Sequence, residues 1–137
     1  MRLRRNAPCP CGSGRRSKGC CEPILRGKPA PTPEALMRSR YTAYATRAAG
    51  HILNTTHPRG PHHETDSAQW RRSVLAFCDG TEFRGLTVHD AIMEGDHGEV
   101  HFTAQLVQGE RAVTLEERSV FERVDGVWLY HSALTLT

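Results

Sequence analysis

Residues 112–136 read AVTLEERSVFERVDGVWLYHSALTL, and their pattern decides the fold. Asp125 and Gly126 form a two-residue turn signal between two apolar, strand-forming runs, which predicts a β-hairpin. In the first run Glu117, Ser119 and Phe121 share one face, while Glu116, Arg118 and Val120 share the other. Working back, Val100, Phe102, Ala104 and Leu106 alternate in an earlier strand. Turns at residues 95–98 and 109–110 bound it, and residues 83–93 make one strand more. The last 55 or so residues therefore read as four strands joined by tight turns, an antiparallel meander.

Upstream the period changes from two to 3.6. Thr32 is placed to cap a helix, with Pro33 at its first position and Glu34 in its first turn. Leu36, Met37, Tyr41, Tyr44 and Ala45 recur at three- and four-residue steps and make its apolar face, with Arg38, Arg40 and Arg47 turned away. Gly50 ends it. A short helix over 51–56 presents Ile52 and Leu53, and HPRGPHH at 57–63 is a turn. A third helix over 67–78, capped by Asp66 or Ser67, carries Trp70, Val74, Leu75, Phe77 and Cys78 on its apolar side. Helices first and a meander after predict an α+β fold, with the helices on one face of a curved sheet.

The chain has 137 residues, a formal net charge of +3 and 38% apolar residues. That suits one small domain with an attached head, and no apolar run reaches membrane-spanning length. The charge is uneven. Residues 1–28 hold Arg2, Arg4, Arg5, Arg15, Arg16, Lys18, Arg26 and Lys28 against the single acid Glu22. A basic head can meet RNA, a ribosome or an acidic protein, or simply solubilise the segment. It carries no aromatic residue among these cations, so it is not a base-stacking platform.

The head holds the chemistry. Residues 9–21, CPCGSGRRSKGCC, contain four of the five cysteines. Cys9, Cys11, Cys20 and Cys21 supply the four soft donors of a tetrahedral zinc site. Gly12, Gly14 and Gly19 let the loop between them turn. Arg15, Arg16 and Lys18 offset the net negative charge of four thiolates around a divalent ion. Disulfides and redox catalysis are the rival readings. Adjacent Cys20 and Cys21 bond each other with difficulty, and no Cys-x-x-Cys is present. The basic opening, residues 1–5, is followed by no apolar run, which predicts a cytoplasmic, reducing location that favours metal over disulfide. With all four positions thiolate, zinc is expected to be structural.

These residues also carry a resemblance. Cys9, Cys11, Ser13, Gly14, Lys18, Cys20 and Cys21 match the Cys-Cys form of the SEC-C motif, the metal-binding segment found on the translocation ATPase SecA and other bacterial proteins. The resemblance implies zinc on the four cysteines and, in SecA-like contexts, docking to protein or ribosome partners. Residues 36–58, LMRSRYTAYATRAAGHILNTTHP, and 115–130, LEERSVFERVDGVWLY, resemble the YchJ-like family of small bacterial proteins. That family joins an N-terminal SEC-C motif to a cone-shaped domain similar to nuclear transport factor two. The implied organisation is a zinc knuckle with lead-in and linker over 1–30 and the cone over 31–137. Read from its own residues, the four-proline stretch 22–33, EPILRGKPAPTP, is a linker or an extended packing strap, with Ile24 and Leu25 placed to anchor the knuckle to the cone. Many members carry a second SEC-C motif at the C-terminal end, which this sequence does not contain.

A curved sheet roofed by helices encloses space for a small molecule. Glu117 is the candidate carboxylate inside it, with His101 or His131 as partner, in an enzyme of dehydratase or isomerase type. Trp70, Trp128 and Tyr130 are expected to wall the space. Against this stands the plainer expectation of Glu117 in a structural ion pair, with the histidines solvated or satisfied in the core. On that reading the protein is a non-enzymatic binding or adaptor module. His57, His62 and His63, with Glu64 and Asp66, form a second cluster in an exposed turn where solvation is the simpler reading, and Cys78 reads as a core residue. Such cones often pair through the sheet face, which makes a dimer an option.

Overall fold

A computed structural model describes residues 2–135. A 3-10 turn at Ser17–Gly19 leads into α1 (Cys21–Leu25). Then come α2 (Pro33–Ala45), α3 (Ala49–Asn54) and α4 (Ser67–Asp79), followed by β1 (Thr81–Glu94), β2 (His97–Gln108), β3 (Arg111–Val124) and β4 (Val127–Thr135). The strands pair antiparallel in the order β1-β2-β3-β4, the expected meander. Leu136, read as the last residue of the fourth strand, lies outside the described residues.

The helix boundaries follow local chemistry. Thr32 Oγ1 accepts the Ala35 amide at 3.0 Å, and Asp66 Oδ1 accepts that of Gln69 at 3.0 Å. Each side chain satisfies one otherwise unpaired amide of the first turn. Gly50 does not end α2. The break falls at Arg47, whose φ of 61° lies in the left-handed region, and Gly50 sits inside α3. Arg47 is held there by Asp79 of α4, with Nε 2.6 Å from the carboxylate. Residues 22–25, expected in an extended linker, instead belong to α1. Pro23 fits because it lies in the first turn, where its missing amide has no helical partner to lose.

The helices cover one sheet face, and Leu36, Val100, Phe121 and Trp128 are almost wholly buried between the layers. The knuckle joins this core. Its four cysteines and Ile24 form one buried cluster with Leu36, Met37 and Tyr41 of α2 and with Leu86 of β1. Leu25 packs against that cluster and against the second one, under α4. Residues before the knuckle are pinned as well: Ser17 N donates to Ala7 O at 3.0 Å and Lys18 N to Arg5 O at 2.9 Å. At the other edge, Tyr130 N donates to Thr55 O (2.7 Å) and His57 N to Tyr130 O (2.8 Å), so the segment after α3 caps β4. No helix among the described residues is long and apolar enough to cross a membrane.

Candidate functional site

Two sites arise from this arrangement, a cysteine centre in the head and a cavity in the cone. The sulfurs of Cys9, Cys11, Cys20 and Cys21 all lie within 4.8 Å of one another and are buried. Cys11 Sγ stands 3.5 Å from Cys20 Sγ, which in turn is 3.9 Å from Cys21 Sγ. These separations are far beyond a disulfide bond, and all the cysteines are free. The loop that brings the two pairs together is closed by Cys9 N donating to Arg15 O at 2.8 Å. Around the sulfurs sits a ring of polar groups. Thr42 Oγ1 of α2 donates to Cys21 Sγ at 3.4 Å, Ser13 Oγ lies 3.2 Å from Cys20 Sγ, and Arg15 Nη2 donates to the same sulfur at 3.7 Å. Arg38, from α2, donates to Cys11 O at 2.7 Å and braces the loop from the other side.

Four clustered thiols cannot all ionise without a cation. Cys9 is held well below the ordinary thiol range, first by its hydrogen bond with Cys11 and then by that with Cys21. Cys21 is driven well above it, first by its bond with Cys11, then by that with Cys9, then by burial. A divalent ion removes this conflict by replacing the shared protons, so the donor set suits a metal ion.

The cavity lies between the helices and the inner sheet face and measures about 400 Å³. Tyr41, Tyr44, Trp70, Phe83, Phe102, Phe121 and Tyr130 supply its aromatic walls, and the exposed His62, Glu64, Ser73 and Phe77 stand among its lining. Glu117 faces this space, as its candidacy required, on the β3 face that it shares with Ser119 and Phe121. Burial pushes its carboxyl upward, with no basic group of the described residues within ion-pairing distance. Neither proposed histidine partner joins it. His101 lies on the opposite sheet face, its Nε2 2.7 Å from Glu116. His131 sits at a bulge in β4, with its ring 5.1 Å from that of His57, beside a separate groove with His97 and Glu122. The reason is register. Glu117 pairs across the sheet with Phe102 and not with His101, so the two point to opposite faces. Trp70 and Tyr130 line the cavity, whereas Trp128 is buried beneath Pro33 and Gly98 instead.

Sequence reasoning missed the cation of the cavity. Arg40, expected to point away from the core, is 8% exposed. Its Nη1 donates to Thr55 Oγ1 (2.7 Å), Thr56 Oγ1 (3.2 Å) and Ile52 O (3.2 Å), and its guanidinium stacks 4.4 Å over the Tyr130 ring. A guanidinium stays charged under such burial. Its spacing from Met37 and Tyr44, three before and four after, was the available signal. The same burial raises Tyr130 to about 12. The turn at 57–63 also differs from expectation. His57 is buried, with Nε2 2.7 Å from Glu122 and Nδ1 accepting the Arg59 amide. His62 and His63 lie instead against Tyr130 and Trp70, so the three do not converge on one point.

Comparison with known proteins agrees with both halves. Residues 32–133 match the middle NTF2-like domain of YchJ, and residues 5–23 match the SEC-C motif. A UPF0225 protein of Deinococcus radiodurans is 44% identical over 128 residues, covering 92% of this chain and 88% of that protein. The UPF0225 protein YchJ of Shigella dysenteriae is 38% identical over 125 residues, covering 89% and 79%. A solution structure of a SEC-C motif containing protein from Rhodopseudomonas palustris superimposes with a TM-score of 0.82 at 31% identity, covering 96% of this chain and all of that one. With both the SEC-C motif and the NTF2-like domain matched, and relatives this similar along most of its length, the chain belongs to the UPF0225 (YchJ) family, a SEC-C motif joined to an NTF2-like domain.

Proposed function

We propose that this protein is a zinc-stabilised binding module whose cone takes a small amphipathic ligand. The zinc reading rests on the sulfur geometry. A tetrahedron of zinc–thiolate bonds near 2.3 Å has edges of about 3.8 Å, and the sulfur pairs at 3.5 and 3.9 Å bracket that value. Four thiolates complete the coordination shell and leave no position for water, which makes the ion structural. Cys9, Cys11, Cys20 and Cys21 are the ligands.

One observation carries the ligand reading: Glu117 and Arg40 face the same aromatic-walled cavity, and Glu117 has no basic partner there. A volume of about 400 Å³ lies within the range of small-molecule sites. A ring-bearing ligand that donates a hydrogen bond to Glu117 would relieve its desolvation and stack on the walls. The test is a fragment screen read on the Trp70 and Tyr130 ring resonances, in the native chain and in Glu117→Gln. Aromatic hydrogen-bond donors that shift both rings and weaken in the variant support the reading. A screen in which no such fragment moves these rings refutes it.

A desolvated carboxylate in a cavity also favours a second reading, proton transfer by Glu117 in an enzyme of dehydratase or isomerase type. It would act without either histidine, and Glu117→Gln would abolish turnover. Arg2, Arg4, Arg5, Arg15, Arg16, Lys18, Arg26 and Lys28 are all exposed on the head, while Glu22 is buried and paired to Arg5. This surface supports contact with a polyanionic partner such as RNA, a ribosome or an acidic protein, in the reducing cytoplasm. Binding that falls steeply with salt is the expected signature.

A further inference from the structure

The outer face of the sheet, turned away from the helices, carries a group of side chains that neither the knuckle nor the cavity uses. His89 of β1, His101 of β2 and Glu116 of β3 each place a ligand-competent atom within 4.8 Å of the others. The two imidazole rings have centroids 4.7 Å apart. His101 Nε2 is 2.7 Å from Glu116 Oε2, and His89 Nε2 is 2.7 Å from Thr103 Oγ1. We propose that His89, His101 and Glu116 form a second metal site, one that takes a divalent transition ion such as zinc.

The backbone builds this convergence. β1 slips register between Val88, paired with Phe102, and Asp90, paired with His101. His89 is the extra residue of that bulge, so both His89 and Asp90 stand opposite His101 on the outer face. Bulges re-aim side chains in this way, and they cluster at functional positions. Glu116 lies diagonally across from His101, whose direct partner is Arg118. All three ligands therefore sit on three neighbouring, hydrogen-bonded strands, and binding orders no loop.

The charge around the site suits a cation. Arg118 is the nearby positive group, and it is already engaged by two acids, Asp90 at 3.1 Å and Glu99 at 3.2 Å. Asp90, Glu99 and Glu116 against Arg118 leave the patch net negative. Two imidazoles and one carboxylate select zinc, nickel, cobalt or copper(II) over calcium and magnesium, which want oxygen donors alone. Three protein ligands leave a coordination position for water or an incoming group, unlike the closed shell of four thiolates.

The test titrates zinc(II) into the full chain, and in parallel into His89→Ala, His101→Ala and Glu116→Gln variants, with protected thiols counted to report occupancy of the cysteine centre. The native chain should take up one equivalent more than either histidine variant, with the same number of thiols protected. Glu116→Gln should weaken the extra equivalent by at least about tenfold, the loss that even an outer-shell partner costs a metal site. Cobalt(II) at the extra site should show no thiolate charge-transfer band, since its donors are nitrogen and oxygen. Equal uptake by native chain and histidine variants overturns the proposal, as does an extra equivalent that carries a thiolate band. All three substitutions lie on the outer sheet face, away from the core, so the variants are expected to fold.

Discussion

Gly12→Ala and Gly14→Ala are a matched pair that tests whether the cysteine head is seated on the sheet. Both glycines have left-handed backbones, with φ of 76° and 85°. A Cβ in that conformation costs about 1–2 kcal/mol at either position. The surroundings then separate them. A Cβ on Gly14 meets nothing within 4 Å, whereas one on Gly12 would stand 2.9 Å from the Leu86 carbonyl oxygen of β1. Leu86 is paired with Ala104 in the sheet, so that oxygen cannot retreat without disturbing the ladder. Overpacking of this kind adds about 1–3 kcal/mol. Gly14→Ala should therefore lose about 1–2 kcal/mol and Gly12→Ala about 2–5 kcal/mol. Urea unfolding of the metal-loaded chain, followed by far-UV circular dichroism and by thiol exposure, measures both. Equal losses, or a larger loss at Gly14, would refute the close approach of the loop to Leu86.

Metal removal should be felt beyond the head. The four sulfurs share a buried cluster with α2 and β1, and a structural zinc site supplies on the order of 10 kcal/mol, comparable to the stability of a whole domain. A chelator that abolishes or greatly lowers the main calorimetric transition is the expected result, and an unchanged transition contradicts it. His51 gives a pH signature. Burial first, and then the charge of Arg40, lower it from 6.5 to about 4. Its contribution to stability is complete above the unfolded value and is lost as pH falls through that window, by about 3 kcal/mol at the lower end. His51→Gln should flatten a plot of stability against pH between 6.5 and 4. Glu117 acts with the opposite sign. Its folded value is raised by burial, so stability is greatest below the unfolded carboxylate value and declines as pH rises through the folded one. At neutral pH, Glu117→Gln should be more stable than the native chain, and a less stable variant would show that the carboxylate has a partner.

Much of the fold was legible because its signals are local. Thr32 with Pro33, Asp66, and the Asp125-Gly126 turn each specify one boundary through chemistry within four residues, and all three fall where expected. The cysteine spacing likewise names its donors without help from the rest of the chain. The side-chain alternation of β3 likewise set Glu117, Ser119 and Phe121 on one face and Glu116, Arg118 and Val120 on the other. Pro23 misled because a proline reads as a breaker unless the helix start is known, and Gly50 because Arg47 takes the left-handed turn with the support of Asp79, 32 residues away.

Periodicity, capping and turn residues act within one element, so the element order, the meander, the four-cysteine centre and the division of β3 into two faces were readable from the chain alone. Tertiary structure decided what those elements meet. Arg40 enters the core because Thr55, Thr56 and the Tyr130 ring form a polar socket that only the packing of α3 and β4 creates. The head joins the core because Gly12 lets it lie against Leu86. His101 turns from Glu117 toward His89 because cross-strand register, with the β1 bulge at His89, assigns faces over long sequence separations. Those are pairings between distant residues, and no local pattern encodes them.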